Sequence, residues 1–219
     1  MIKHFKKTVY LIVLMGFNAA QAGSFDDFFT AVQRDNGGEI QSLLQRGFDG
    51  NTTDAQGRSG LYLALKGENF KAANALLAWP KIKTETRTAQ DESPLMIAAL
   101  QGELDICTQL IAKGADVNKT GWTPLHYAAT HGHVDVMRLL LENFAYIDAA
   151  SPNGSTPLMM AAQYGSDDAV KLLLDEGADP LLKNQKNLTA IDFAQKANRA
   201  ATVEMVSAAV RARKPKGTW

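Results

Sequence analysis

A hydroxyl residue followed by a helix-starting residue occurs five times along the chain, at Ser59-Gly60, Ser93-Pro94, Thr123-Pro124, Thr156-Pro157 and Thr189-Ala190, with spacings of 34, 30, 33 and 33 residues. Self-similarity at such a period points to an array of supersecondary units and narrows the possible folds before any composition is weighed. Ser or Thr accepts hydrogen bonds from the open backbone N–H groups of a helix start, and proline at the first helical position forfeits none. Each recurrence therefore predicts the same helix start. Behind it come small residues (Ala98-Ala99, Ala128-Ala129, Ala161-Ala162), then a glycine-containing turn at Gly102, Gly132 or Gly165. A second helix follows, marked by Leu110-Ile111, Leu139-Leu140-Leu141 or Leu172-Leu173-Leu174. Gly114 and Gly177 are expected to end it in the left-handed conformation that carries no Cβ penalty for glycine.

Thr123-Pro124-Leu125-His126-Tyr127-Ala128 matches the T-P-L-H-x-A signature of ankyrin repeats, and the body of the chain resembles that family. The resemblance implies an all-α solenoid of stacked helix-turn-helix units with β-hairpin or turn fingers. It is close over residues 91–185 and degenerate over 57–90. The organisation it implies is a leader (1–22), an N-terminal capping repeat (23–56), the degenerate repeat (57–90) and a repeat with a short finger (91–119). Two further repeats (120–152 and 153–185), a C-terminal capping repeat (186–211) and a basic tail (212–219) complete it. One helix pair cannot bury its leucine face alone, so neighbours bury it jointly and terminal units need a polar outer side. Phe28-Phe29, Ile40 and Leu43-Leu44 are expected to face inward in the first cap, and Ala194, Val203, Met205 and Val206 in the last.

Three departures from the repeat carry their own expectations. Between Gly114 and Pro124 the linker is three residues shorter than in the other repeats, so the finger Val117–Gly121 should be a stub. Phe144 stands where the terminating glycine belongs, and positive φ is expected at Asn143 instead, because asparagine tolerates it better. After Ala78-Trp79-Pro80 the segment from Lys81 to Thr88 should form an irregular polar loop.

At the other end of the chain, Lys3, Lys6 and Lys7 precede the uncharged apolar run Val9–Phe17 and then Ala20-Gln21-Ala22. This is the pattern of a secretory signal peptide, with cleavage expected after Ala22. Nine helical residues rise only about 14 Å, against roughly 30 Å of membrane hydrocarbon, which disfavours a permanent anchor. Export places the chain in the periplasm, or alternatively outside the cell. Cys107 is the single cysteine, so no intramolecular disulfide is available and stability must come from packing. Residues 23–219 carry 20 basic and 23 acidic groups. Without a basic excess there is no electrostatic case for nucleic acid. Arg211, Arg213, Lys214 and Lys216 make the end of the chain basic, which reads as a solvated tail or at most a weak membrane-surface contact.

The resemblance implies that a protein partner is gripped by the fingers and the exposed, concave side of the first helices. In register, that face carries Leu100 and Gln101, Thr130 and His131, Gln163 and Tyr164, with Lys66 in the degenerate repeat. Arg58, Glu92, Trp122 and Ser155 precede the helices. Trp122 and Tyr164 stand out because aromatic residues dominate interface hot spots, although Trp122 equally fits a packing role against its neighbouring turn. His131, His133 and Asp135 offer three metal-ligand types within five residues, but they straddle a glycine turn and lack a second ligand cluster. No catalytic, cofactor or metal residues are assigned. The reading is a monomeric, non-enzymatic module binding an unidentified protein in the periplasm. Its competitors are a secreted effector of host proteins and a metal-dependent enzyme built on the two histidines.

Overall fold

The computed structural model describes residues 23–213. The leader, its cleavage point and the tail residues 214–219 lie outside the described residues. Twelve helices follow one another: α1 over 23–33, α2 (Gly37–Gln45), α3 (Gly60–Lys66), α4 (Phe70–Leu77), α5 (Pro94–Gln101), α6 (Leu104–Ala112), α7 (Pro124–His131), α8 (Val134–Glu142), α9 (Pro157–Tyr164), α10 (Asp167–Asp175), α11 (Ala190–Lys196) and α12 (Ala200–Arg213). Among the described residues there is no strand, only an isolated antiparallel bridge between Thr53 and Ser59. The fold is the all-α repeat solenoid that the resemblance implies. Two compact units divide it, 23–90 and 91–213.

All five recurrent hydroxyl residues cap a helix. Ser59, Ser93, Thr123 and Thr156 accept from the backbone N–H three residues on, at 3.2, 3.3, 3.4 and 3.4 Å. The return contact varies with the residue in that third position. The backbone N–H of Ser93 and of Thr156 points to the thioethers of Met96 and Met159, that of Thr123 to His126 Nδ1, and that of Thr189 to the Asp192 carboxylate at 2.7 Å. This last contact holds the Asp192 carboxyl below the usual carboxylate range.

In 23–90, α4 packs on α2 and α3. Phe28, Ile40 and Leu43 are buried as expected, with Phe29 and Leu44 half-buried beside them. Asn69 begins α4 without a side-chain cap, and the Asp35 carboxylate supplies it from the preceding unit, accepting from Ala72 N–H at 2.8 Å. The segment after Trp79 is irregular, as anticipated. It is not a solvated loop, because Thr84 and Thr88 are buried and Asn51 clamps its backbone at both edges of its amide. Asn51 Nδ2 donates to Lys81 O at 3.0 Å, and Lys83 N–H donates to Asn51 Oδ1 at 2.7 Å.

In 91–213 the first helices α5, α7, α9 and α11 pack in succession, and the second helices α6, α8, α10 and α12 do likewise. The paired alanines 98–99, 128–129 and 161–162 are fully buried, letting successive first helices approach closely. Gly165 has an ordinary φ; it is required because a Cβ there would meet the Ala129 carbonyl at 2.3 Å. One register position joins successive repeats. His133 Nε2 donates to Leu100 O at 2.9 Å, and 66 residues on, Arg199 donates to Ala161 O and Ala162 O at 2.7 and 3.1 Å. Arg199 and Thr202 also converge on the Asp167 carboxylate, which explains why a threonine is fully buried in the last cap.

Two expectations are corrected. Positive φ falls on Phe144 (64°), not on Asn143 (−97°). Helix register decides this. Phe144 occupies the position of Gly114 and Gly177, and its N–H and that of Ala145 close on Leu141 O and Leu140 O, both at 2.9 Å. Asn118 and Asn143 hold the turn further, Asn118 Nδ2 donating to Phe144 O and Asn143 Nδ2 to Leu139 O at 2.8 Å. Those bonds hold the strained conformation, and the Phe144 side chain points into solvent, 84% exposed. The second correction concerns the basic end. Arg211 and Arg213 belong to α12, where Arg211 pairs with Glu204 at 2.7 Å and Arg213 with Asp179 at 3.0 Å, Arg213 also donating to Gly177 O at 2.8 Å.

The stub finger is observed. Asp54, Ser151 and Asn184 each close a finger by donating their N–H to the carbonyl four residues on, Arg58, Ser155 and Leu188, at 2.9, 2.9 and 3.0 Å. Between Val117 and Trp122 the chain makes bends instead, gathered around the ammonium of Lys119.

Candidate functional site

The register that stacks the first helices also sets out their exposed side. In 91–213, Leu100, Gln101, Thr130 and Gln163 are half-buried, His131 is exposed and Tyr164 is 59% exposed. These six expected contact residues, at matching positions near the ends of α5, α7 and α9, are therefore all at least partly accessible. Glu92 and Trp122 are half-buried at the edge of this side. Ser155 is not part of it: only 1% exposed, its N–H is held by Ser151 and Asn153 and its carbonyl by His126, so it belongs to the finger's internal wiring. In 23–90, Lys66 is exposed and Arg58 half-buried. Arg58 is engaged by Asp54 through Nε at 2.7 Å, and this local pair, rather than a partner, accounts for its geometry.

Three further residues share the face and were not singled out from the sequence. Tyr127, Met160 and Phe193 occupy the position between the signature residue and the small residues of α7, α9 and α11, and all are half-buried. Their 33-residue spacing was the available signal. It was obscured because an apolar residue inside an apolar helix resembles core until the packing is known. The Tyr127 hydroxyl donates to Glu92 at 3.4 Å, and burial together with the nearby Glu92 and Asp91 carboxylates makes it a weaker acid, its pKa pushed up to about 12. In 23–90 a separate groove of about 590 Å³ is lined by both apolar and polar side chains, among them Phe25, Phe29, Val32, Leu63, Gln56 and Arg58.

His126 is the pivot behind the face. Thr123 N–H donates to its Nδ1 at 3.2 Å, which puts the ring proton on Nε2, and Nε2 donates to Ser155 O at 2.9 Å. Full burial pushes its basicity down to about 4, aided by the Lys119 cation and opposed by the Ser155 carbonyl. The imidazole is thus a neutral crosslink between two repeats. Trp122 lies edge-on to it, ring centroids 5.3 Å apart at 77°, so the packing role open to Trp122 is realised while part of the indole stays accessible.

His131 and His133 stack with parallel rings, 5.9 Å apart and 6° from coplanar, and His133 Nε2 is committed to Leu100 O. The two present ring faces to one another rather than converging lone pairs, which is poor geometry for a shared metal ion. Among the described residues no group of three His, Cys, Asp or Glu side chains is placed to hold one. Cys107 is fully buried on α6, and desolvation pushes its thiol up to about 12, so thiolate chemistry is suppressed.

Comparison with known proteins agrees with this architecture. The chain is 34% identical over 107 residues to the rat (Rattus norvegicus) ankyrin repeat and SAM domain-containing protein 6, covering 47% of this chain and 12% of that protein. It is 36% identical over 77 residues to mouse (Mus musculus) protein phosphatase 1 regulatory subunit 27, covering 34% and 50%. It is also 36% identical over 80 residues to the mouse 2-5A-dependent ribonuclease, covering 35% and 11%. The chain thus spans half or less of the length of these relatives, and the likeness to a protein named as a ribonuclease is confined to a small part of it. The profile of ankyrin repeats (three copies) matches in overlapping stretches, 28–120, 73–151, 95–184 and 144–213, which together run from within α1 to the end of α12. With the capped helix pairs, the buried alanine pairs and the signature histidine in place, the chain belongs to the ankyrin-repeat family, whose repeats serve as protein-interaction modules.

Proposed function

We propose that the protein is a non-enzymatic binding module that works in the periplasm after cleavage behind Ala22, as a monomer, holding or assisting a partner protein on the exposed face of α5, α7 and α9. The observation that carries this reading is the contrast at that face. Tyr164, 59% exposed, stands above the half-buried row Tyr127, Met160 and Phe193, with Thr130, Gln163, Gln101 and His131 around it. A large amphipathic side chain with a polar rim and an apolar floor is the anatomy of an interface centre. Trp122 and Glu92 border it, while Leu100 adds apolar area. The groove of 23–90, with Arg58 and near Lys66, offers a second contact region for the same kind of partner. Lys3, Lys6, Lys7 and the apolar run that follows support export.

The test is affinity capture from periplasmic extract with the native chain and the Trp122→Ala/Tyr164→Ala variant side by side. Retention of one protein by the native chain and its loss from the variant is the expected result, with an affinity drop of tenfold or more, since hot-spot truncations cost about 2 kcal/mol or more. Equal capture by both would remove this face from the function. Recovery of the protein from culture medium instead of the periplasmic fraction would remove the location.

A further inference from the structure

We propose that Lys119 is the positioning residue of this face, fixing the Trp122 indole at its edge in place of the hairpin that the short finger lacks. The proposal rests on the reading above for its consequence in binding, but not for its geometry.

A full finger delivers the chain to the next helix by a backbone pair, as between Ser151 and Ser155. In the short finger the Lys119 side chain turns inward, 3% exposed. Its ammonium donates to Thr120 O at 2.9 Å and Trp122 O at 3.0 Å and pairs with Asp91 Oδ2 at 2.5 Å. An ammonium has three protons and no accepting capacity, so three acceptors satisfy it completely. Burial makes that satisfaction compulsory, because an ammonium withdrawn from water without partners is strongly disfavoured. The Trp122 carbonyl is therefore held by a charge-assisted bond, and the Trp122 backbone with it.

The indole is held from the other side by His126, which is itself fixed by Thr123 and by Ser155 of the following finger. Backbone position from Lys119 and ring orientation from His126 together leave the indole little freedom. Asp91, also at positive φ (61°), stands just before the Ser93 cap of α5, so the ion pair ties the entry of one repeat to the entry of the next. The latch follows from the shorter linker: Arg58 O, Ser155 O and Leu188 O accept from a hairpin N–H, whereas their counterpart Trp122 O is left to the Lys119 ammonium.

The experiment uses the full chain with Trp79 and Trp219 replaced by Phe, so that Trp122 is the sole indole. Lys119→Met preserves the apolar stem and removes the ammonium; Asp91→Asn, at an exposed residue, weakens the latch with little risk to folding. Far-UV circular dichroism confirms folding in each. The expected result, with no partner present, is a red shift of Trp122 emission, loss of its near-UV circular dichroism and easier quenching by acrylamide in Lys119→Met, with the same changes to a smaller degree in Asp91→Asn. If the folded Lys119→Met keeps the native Trp122 signals, the proposal is overturned. Should that variant not fold, Asp91→Asn decides alone, an altered signal supporting the proposal and an unaltered one overturning it. Capture by the same variants is a separate reading: altered spectra with unchanged capture would sink the binding role of Trp122 and leave the latch standing.

Discussion

Between Ser151 and Ser155 the finger closes on its own backbone, with Gly154 at φ 78° and the side chains of Ser151 and Asn153 completing the turn. Between Val117 and Trp122 three residues are missing and the same task, satisfying the turn's carbonyls and aiming the next helix, falls to one ammonium. His126 joins the two, its Nδ1 facing the helix start behind the short finger and its Nε2 facing the full one. The comparison teaches that what the repeat preserves is the satisfaction of polar groups at the helix entry. Hairpin and cation are alternative means, and they differ in sensitivity to charge.

The largest expected effect attacks the joint. His126 titrates near its ordinary 6.5 when unfolded and at about 4 when folded, so between those values the unfolded chain binds more protons. Its contribution is complete above about pH 6.5 and is lost as pH falls towards 4, roughly 3 kcal/mol in all for 2.5 units. Urea unfolding midpoints across that range should show this slope, and His126→Gln should flatten it; an unchanged slope in the variant would mean that other groups carry the acid sensitivity.

Next comes the difference between the fingers themselves. Lys119→Met should cost about 2 kcal/mol, the scale of hydrogen bonds to a charged group, because two carbonyls lose their partner. Asp91→Asn should cost less than Lys119→Met, because water partly screens the 58% exposed carboxylate. Ser151→Ala in the full finger removes two neutral hydrogen bonds, one donated to Asn153 Oδ1 and one accepted from Ser155 N–H, but that N–H keeps Asn153 Oδ1, so the cost should be about 1 kcal/mol. Unfolding free energies for Lys119→Met and Ser151→Ala in the opposite order would break the comparison. Smallest is the relief of strain beside it: Phe144→Gly should stabilise by about 0.5 kcal/mol, the left-handed penalty less the added entropy of unfolded glycine. A melting temperature below that of the native chain would show that the exposed phenyl ring contributes contacts of its own.

Much of this was legible in the residues. The five Ser and Thr caps, the paired alanines, Gly114 and Gly177 and even the stub finger follow from local chemistry repeated at fixed spacing, which is why reading them required no knowledge of neighbours. The candidate face was partly legible: register implies accessible positions for Tyr164, His131, Gln163 and Thr130, and the first two are exposed and the last two half-buried. Tyr127, Met160 and Phe193 were not, because whether an apolar side chain in a helix is core or surface depends on how far the next helix covers it. Ser155 failed for the opposite reason, a polar residue drawn inside by a histidine 29 positions away.

The amino-acid sequence by itself determined the repeat, the positions of the helices and the family, since capping, helix termination and leucine periodicity are properties of neighbouring residues. Only the tertiary structure decided that Phe144 rather than Asn143 bears the positive φ, that Lys119 is buried, that His126 is neutral and that Arg213 is folded onto Gly177 and Asp179. Phe144 is set by the register in which α8 ends, whereas the other three depend on a partner roughly 30 residues away, and the energy of a buried polar group is set by the partners it finds rather than by the residue that carries it.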